Sequence, residues 1–250
     1  MRDTSWLSWI ARMVLGLPAL LLPLGTEARQ PLIPDSHLPG LGSTDPRRTI
    51  NGTEPPWQAL GRVQTELGGR CTGTLLDPRT VLTAAHCLVA PRAMGLVQPK
   101  SVHFLLGYHL GQWRAEARVV NFRTGPGFQV AERGPPATDW ALLTLDRPLP
   151  GPSLPLLISP LAPEAPLMLG GYQQDRPELL LADTACRLRG LRQQGGVPLL
   201  LHDCAGTRGV SGGPLLARAP NGSWGVAGIA VGASLGSATG VAVPAASIAP

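Results

Sequence analysis

Glycine and proline interrupt this chain so often that they decide what it can become. There are 31 glycines and 27 prolines among 250 residues, about twice the usual combined share of roughly 12%. Such a chain suits many short elements joined by turns, not long helices. Charged residues make up only 15%, and no heptad run survives the prolines, which excludes a coiled coil. The 44% hydrophobic content supplies a real core and excludes general disorder.

The runs between the breaks are short and apolar. They fall at 59–63, 73–76, 80–83, 102–106, 118–122 and 140–145, then at 166–169, 179–182, 199–202, 213–217, 225–230 and 240–243. Short strands at this spacing, with turn signals between them, predict an all-β sandwich or barrel. Residues 148–166 carry seven prolines and no long run, which suits a connection between two halves. Residues 29–48 hold four prolines and no periodicity, and read as a linker or pro-segment.

The first 28 residues read as a secretory signal. Arg2 and Arg12 supply positive charge, partly cancelled by Asp3. An apolar core spans 13–24, and Thr26-Glu27-Ala28 places small residues before a cut. The apolar run has 12 residues with two prolines, short of the roughly 20 a membrane span needs. The expected location is secreted or periplasmic, with no membrane anchor after signal removal. Export also suits the four cysteines, Cys71, Cys87, Cys186 and Cys204, as two disulfides. Three connectivities are possible. Each half of the chain holds two of the four, which favours Cys71–Cys87 and Cys186–Cys204. No Cys-x-x-Cys spacing points to a metal.

The net charge is +5. Lys100 is the only lysine, and the longest basic runs are Arg47-Arg48 and Arg187-Leu188-Arg189. No basic stripe interleaves with aromatics, so nucleic acid is not expected as a partner. No phosphate loop or paired-carboxylate spacing appears, and no cofactor is expected.

Three local sequences carry chemistry: Leu82-Thr83-Ala84-Ala85-His86-Cys87, Thr138-Asp139-Trp140-Ala141-Leu142-Leu143 and Gly209-Val210-Ser211-Gly212-Gly213-Pro214-Leu215. A serine hydroxyl is a poor nucleophile at neutral pH and needs a base within hydrogen-bond reach, for which an imidazole is suited. Among His37, His86, His103, His109 and His202, only His86 sits in such a motif. The order His, Asp, Ser resembles the chymotrypsin/trypsin-like serine protease superfamily over about residues 50–243.

That resemblance implies two six-stranded antiparallel β-barrels with the active site between them. The N-terminal barrel would span 49–147, the connection 148–165 and the C-terminal barrel 166–250. His86 would be the base, Asp139 its orienting carboxylate and Ser211 the nucleophile. The N–H groups of Gly209 and Ser211 would form the oxyanion hole. The Cys71–Cys87 bridge would pin the His86 loop to its neighbouring strand. A polypeptide substrate and a monomeric state are implied. A non-catalytic binding protein on the same fold and an esterase-like acyl hydrolase are the rival readings.

The chain departs from trypsin at telling places. Val210 stands before Ser211, where trypsin-like enzymes have the aspartate that pairs with a new N-terminal ammonium. Arg48-Thr49-Ile50-Asn51-Gly52 looks like an activation site, but valine cannot accept that salt bridge. The 72-residue spacing from Asp139 to Ser211 and the positions of Cys186 and Cys204 resemble the bacterial glutamyl-endopeptidase-like branch. Yet Ala230 stands where glutamate-cleaving members place a histidine, and Ala205 where trypsin has its acidic pocket base. A neutral pocket for a small or apolar side chain is expected, built from Ala205, Ala230, Val231, Gly232 and Gly240.

Overall fold

The computed structural model describes residues 38–90, 92–93 and 95–248. The signal sequence expected at 1–28, and the proposed pro-segment up to residue 37, lie outside the described residues. Among the described residues the helices are short 3₁₀ turns, and none is long and apolar enough to cross a membrane.

Strands β2 (Leu60–Thr65), β3 (Arg70–Asp77), β4 (Thr80–Thr83), β5 (Val102–Leu106), β6 (Ala115–Thr124) and β7 (Ala141–Leu145) form a closed antiparallel barrel in the order β2-β3-β4-β7-β6-β5. Alternation puts Val63, Leu75, Val81, Phe104, Val119 and Leu143 inside. Phe104 dictates glycine at two neighbouring points. A Cβ at Gly61 would lie 2.6 Å from the Phe104 ring, and one at Gly73 would lie 2.7 Å from a Val63 methyl. One large ring thus fills the barrel because two strand positions carry no side chain.

The second sheet contains β8 (Pro166–Gln173), β9 (Arg176–Gln194), β10 (Val197–His202), β11 (Pro214–Arg218), β12 (Trp224–Ala233) and β13 (Gly240–Pro244). Its order is β9-β10-β13-β12-β11-β8, and pairing of β8 with β9 brings the ends together. A two-residue strand, β1 (Arg48–Thr49), adds to β9 opposite Ala182 and Leu181. The all-β class and the chymotrypsin-like architecture expected from the sequence are what the chain adopts. Every apolar run identified above lies in or overlaps a strand.

Two disulfides staple the fold. Cys71 and Cys87 are joined at 2.04 Å, and Cys186 and Cys204 at 2.12 Å, spanning 16 and 18 residues. Closing loops of this size restricts the unfolded chain by roughly 3 kcal/mol each. The first joins β3 to the turn Ala85–Leu88. The second joins β9 to the segment that follows β10.

The barrels meet along a polar seam centred on Thr72 of β3. Its hydroxyl accepts from the Tyr172 N–H at 2.9 Å and donates to the Gly209 carbonyl at 3.0 Å. Its own N–H donates to the Ser211 carbonyl at 3.0 Å. Its carbonyl accepts from the Thr83 hydroxyl at 2.8 Å. Tyr172 also donates its hydroxyl to the Tyr108 carbonyl at 2.9 Å, and the two rings meet edge to face. Every backbone and hydroxyl group of the buried Thr72 is thus committed across or beside the seam.

Thr72→Val keeps the shape but leaves the buried Tyr172 N–H without its acceptor, so urea unfolding should register a loss of about 1–3 kcal/mol. Thr72→Ser, which keeps the hydroxyl, should recover most of it. A Thr72→Val chain as stable as the parent would refute the role of the seam.

A second prediction concerns acid. His202 is buried on β10 against Gly240, where a Cβ would lie 2.1 Å from the ring. Its Nδ1 accepts from the Cys204 N–H at 3.2 Å. Burial pushes its pKa down to about 4, against a smaller opposing pull from Asp203. The unfolded ring takes up a proton below about pH 6.5, and the folded ring only near pH 4. Stability should therefore fall as pH drops from 6.5 to 4, by on the order of 3 kcal/mol from this group, then level off. NMR should find the His202 ring neutral at pH 5; a protonated ring there would contradict the burial argument.

Candidate active site

Asp139 follows the 3₁₀ turn Pro136–Thr138 and precedes β7. It is only 2% exposed, so its charge must be met by protein donors. His86 supplies both. The Asp139 carboxylate accepts the His86 backbone N–H at 2.8 Å and meets Nδ1 of the ring at 2.6 Å. This double grip places the ring proton on Nδ1 and leaves Nε2 as the free lone pair. The ring itself remains about one-fifth exposed at the surface of the seam.

The Ser211 loop is seated by glycines. Gly212 has φ +76°, and a Cβ there would lie 2.3 Å from the Thr83 hydroxyl and 2.7 Å from the Ala84 nitrogen. No side chain fits, and the loop packs directly on the chain that carries His86. Cys87 Sγ lies 3.9 Å from the Ser211 carbonyl oxygen. Gly209, at φ +94°, would place a Cβ 2.6 Å from the Tyr172 carbonyl. Among the described residues, the N–H groups of Gly209 and Ser211 reach no acceptor. Two adjacent backbone donors, held by the turn and left uncommitted, are suited to an anionic oxygen. The Ser211 hydroxyl also makes no hydrogen bond among the described residues.

A histidine beside two sulfurs raises the question of a metal. A ring nitrogen of His86 and the sulfurs of Cys71 and Cys87 lie within 4.8 Å of one another. The sulfurs are bonded together, so neither offers a thiolate.

Beside Ser211 lies a small cavity of about 170 Å³ lined by Pro39, Gly206, Thr207, Arg208, Val210 and residues 230–233; Arg208 is its one charged residue, and it is exposed. Of the expected pocket residues, Ala230, Val231 and Gly232 line it, while Ala205 and Gly240 do not. Ala205 is buried beneath, in a cluster with Leu38 and Leu41, and its N–H donates to Asp183 at 2.9 Å. Gly240 packs its backbone on His202. Asp203 accepts the Arg187 N–H and pairs with Arg189. It is spent on those partners.

Pro39 belongs to the segment read from sequence as a linker or pro-segment. From Leu38 onward that segment is docked. Leu38 and Leu41 are fully buried, Gly40 N–H donates to Ser234 at 2.7 Å, and Gly206 N–H donates to Gly40 at 3.1 Å. The Arg47 guanidinium is wholly buried and pairs with Asp45 at 2.8 Å and Asp175 at 2.9 Å. It also donates to Gln173 Oε1 at 2.6 Å, the same oxygen that accepts the Thr207 N–H at 2.8 Å. Burial opposes the charges, but the bonds between them hold the Asp45 carboxyl below its usual range and the Arg47 guanidinium above its own. Arg47 is thereby linked through Gln173 to the loop that precedes Ser211. Sequence reading missed Pro39, Arg47, Thr72 and Gln173, since nothing local marks them.

Val210, in the position that would hold an aspartate in trypsin-like enzymes, is buried among apolar neighbours. Its methyls lie 3.0–3.4 Å from the points where side chains on Gly171, Gly206 and Gly213 would begin.

Comparison with known proteins agrees with this architecture. The trypsin family model matches residues 45–168. Trypsin zeta of Drosophila erecta is 26% identical over 253 aligned positions, covering 87% of this chain and 86% of that protein. The glutamyl endopeptidase of Bacillus licheniformis is 40% identical over a shorter stretch of 48 residues, 19% of this chain and 15% of that protein. A solved structure of Glu endopeptidase in complex with MPD shares the fold, with a TM-score of 0.65 and 18% identity, over 82% of this chain and 93% of that one. The chain is similar to the chymotrypsin/trypsin-like family of serine endopeptidases, and its likeness extends to the glutamyl-endopeptidase-like branch.

Proposed function

We propose that this chain is an exported peptidase that cleaves polypeptides through an acyl-enzyme on Ser211. The observation that carries the reading is the double grip of Asp139 on His86, with two uncommitted N–H groups flanking the serine. Ser211 Oγ attacks the peptide carbonyl while His86 Nε2 takes the hydroxyl proton. The Gly209 and Ser211 N–H groups receive the oxygen's growing negative charge. His86 then returns the proton to the leaving amine, and water releases the acyl group by the same steps. Asp139 stays ionised, fixing the ring and stabilising its charged form. No cofactor enters this chemistry.

Export rests on the pattern of residues 1–28 and on two disulfides, which suit an oxidising compartment. The working parts are an N-terminal barrel over 49–147, a connection over 148–165 and a C-terminal barrel over 166–250, acting as a monomer. Cleavage after Arg48 is not needed for competence. Arg48 and Thr49 are already paired in β1, and Arg47 braces the loop before Ser211 in the intact chain. Val210 contributes packing where an ionic pair would otherwise be made.

The intact chain, uncut at Arg48, should take one fluorophosphonate adduct by mass, and Ser211→Ala should take none. Asp139→Asn should slow turnover by about 10⁴-fold, as in other triads of this type. A folded, disulfide-bonded chain that takes no adduct until cut after Arg48 would establish a zymogen. One that takes none in either state would favour a binding protein. The pocket makes its own prediction. In a peptide panel, small or apolar residues on the acyl side of the cut should be preferred, because the cavity is small, its wall at 230–233 is apolar and it offers no carboxylate, while its one charged residue, Arg208, is exposed. A strong preference for arginine or for glutamate there would overturn this assignment.

A further inference from the structure

A second cleft lies on the other side of Gly209. It has a volume of about 320 Å³ and is lined by Arg62, Arg70, Arg208, Gln173, Gln174 and Gly209, with Tyr172, Pro177 and Gly68 completing the wall. Three cations line it and no carboxylate does. Three of its residues carry a buried N–H donor with no acceptor: Nε of Arg62, Nε2 of Gln173 and Nε2 of Gln174. The Gln173 assignment is fixed by its oxygen, which already receives Arg47 and Thr207. Leaving such a donor unpaired in a protein interior costs about 1–3 kcal/mol, so three around one cleft call for an acceptor. Arg62 and Gln173 are both about 95% buried or more. On the rim, Arg70 and Arg208 are exposed and make no salt bridge among the described residues. The nearest acid, Glu178, is engaged by Arg62 at 3.3 Å and by the Tyr108 hydroxyl.

Position gives this chemistry its meaning, on the reading that Ser211 and His86 are catalytic. The small cavity beside Ser211 is walled by residues 230–233 and shares Arg208 with the cleft. The arginine-lined cleft runs from the shared Arg208 through Gly209 to Arg70, which directly precedes Cys71. Cys71 and its partner Cys87 lie against the His86 ring. The leaving amine receives its proton from His86, so the chain beyond the cut departs over this side.

We propose that the cleft is a leaving-group subsite that binds an acidic side chain, making the preferred substrates polypeptides with Glu or Asp in the first few positions after the cut. The carboxylate pairs with the exposed Arg70 and Arg208 at the rim, and the buried Arg62 adds its positive charge from beneath. Arginine suits this role because its planar fork matches a carboxylate. At an exposed rim the attraction weakens with salt.

The test uses matched peptides that differ only in carrying Glu or Lys after the cut. For the parent chain, the ratio of kcat/KM for Glu over Lys should be at least about tenfold, equivalent to about 1.4 kcal/mol, and should shrink at high salt. The ratio should invert in Arg70→Glu with Arg208→Glu, and survive in Arg70→Lys with Arg208→Lys. Because it is taken within one variant, it does not depend on how much active protein each preparation holds. In parallel, Ser211→Ala should bind the Glu peptide about tenfold more tightly than the Lys peptide by fluorescence anisotropy. Equal cleavage and equal binding of the two peptides would overturn the subsite. Tenfold discrimination in binding, from a chain that cleaves neither peptide, would uphold the subsite and overturn the peptidase reading instead. If inorganic sulfate at millimolar concentration abolishes binding of Glu and Lys peptides alike, the cleft holds a free anion, and the substrate assignment fails.

Discussion

One buried threonine carries the joint on which the rest depends. Thr72 belongs to the first barrel, yet it bonds to Tyr172, Gly209 and Ser211 of the second. His86 and Asp139 are positioned by the first barrel and Ser211 by the second, so neither half holds a working set. On the proposed catalytic reading, a shift of an ångström between barrels would misplace His86 relative to Ser211, and such misplacement is costly to catalysis. Thr72 resists that shift by tying the carbonyls on both sides of Val210 to β3. The Cys71–Cys87 bridge anchors the same strand to the turn carrying His86. Seam and triad are therefore parts of one construction.

The ionic anchor of this chain sits upstream of where a trypsin would have it. Val210 offers no charge, and its pocket is apolar. The buried charge is instead Arg47, between Asp45 and Asp175, reaching the Ser211 loop through Gln173. A buried pair of this kind adds little net stability when complete, but loses several kcal/mol when one partner is removed. Its contribution is geometric, because it commits the chain before β1 to a single path. That path carries Pro39 to the cavity beside Ser211.

Much of this was legible in the sequence, for physical reasons. Strand positions announced themselves because short apolar runs between glycine and proline breaks have few other ways to bury themselves. His86, Asp139 and Ser211 stood out because each sits in a run whose small residues are required by close packing, as Gly212 illustrates. The 38–49 segment did not stand out. Its burial comes from isolated residues, Leu38, Leu41 and Arg47, set between turns with no period to detect. The pocket was only partly legible. Counting back from Ser211 placed Ala205 at its base, but contact with Leu38 and Leu41 draws that residue underneath. Thr72 was invisible because a threonine in a strand looks the same whether its hydroxyl meets water or three other segments. Nor could charge counting reveal the cleft beside Gly209, since its arginines come from positions 62, 70 and 208.

The cavity beside Ser211 joins Pro39 to residues 230–233 of β12, and β12 pairs with β13, which ends at Pro244. During vectorial synthesis the first barrel has all its strands once Leu145 has emerged, long before Ser211 is added. The cavity beside Ser211 is complete only when β12 has been made and paired with β13. On the proposed peptidase reading, a nascent chain lacks its substrate cavity until these last strands have paired.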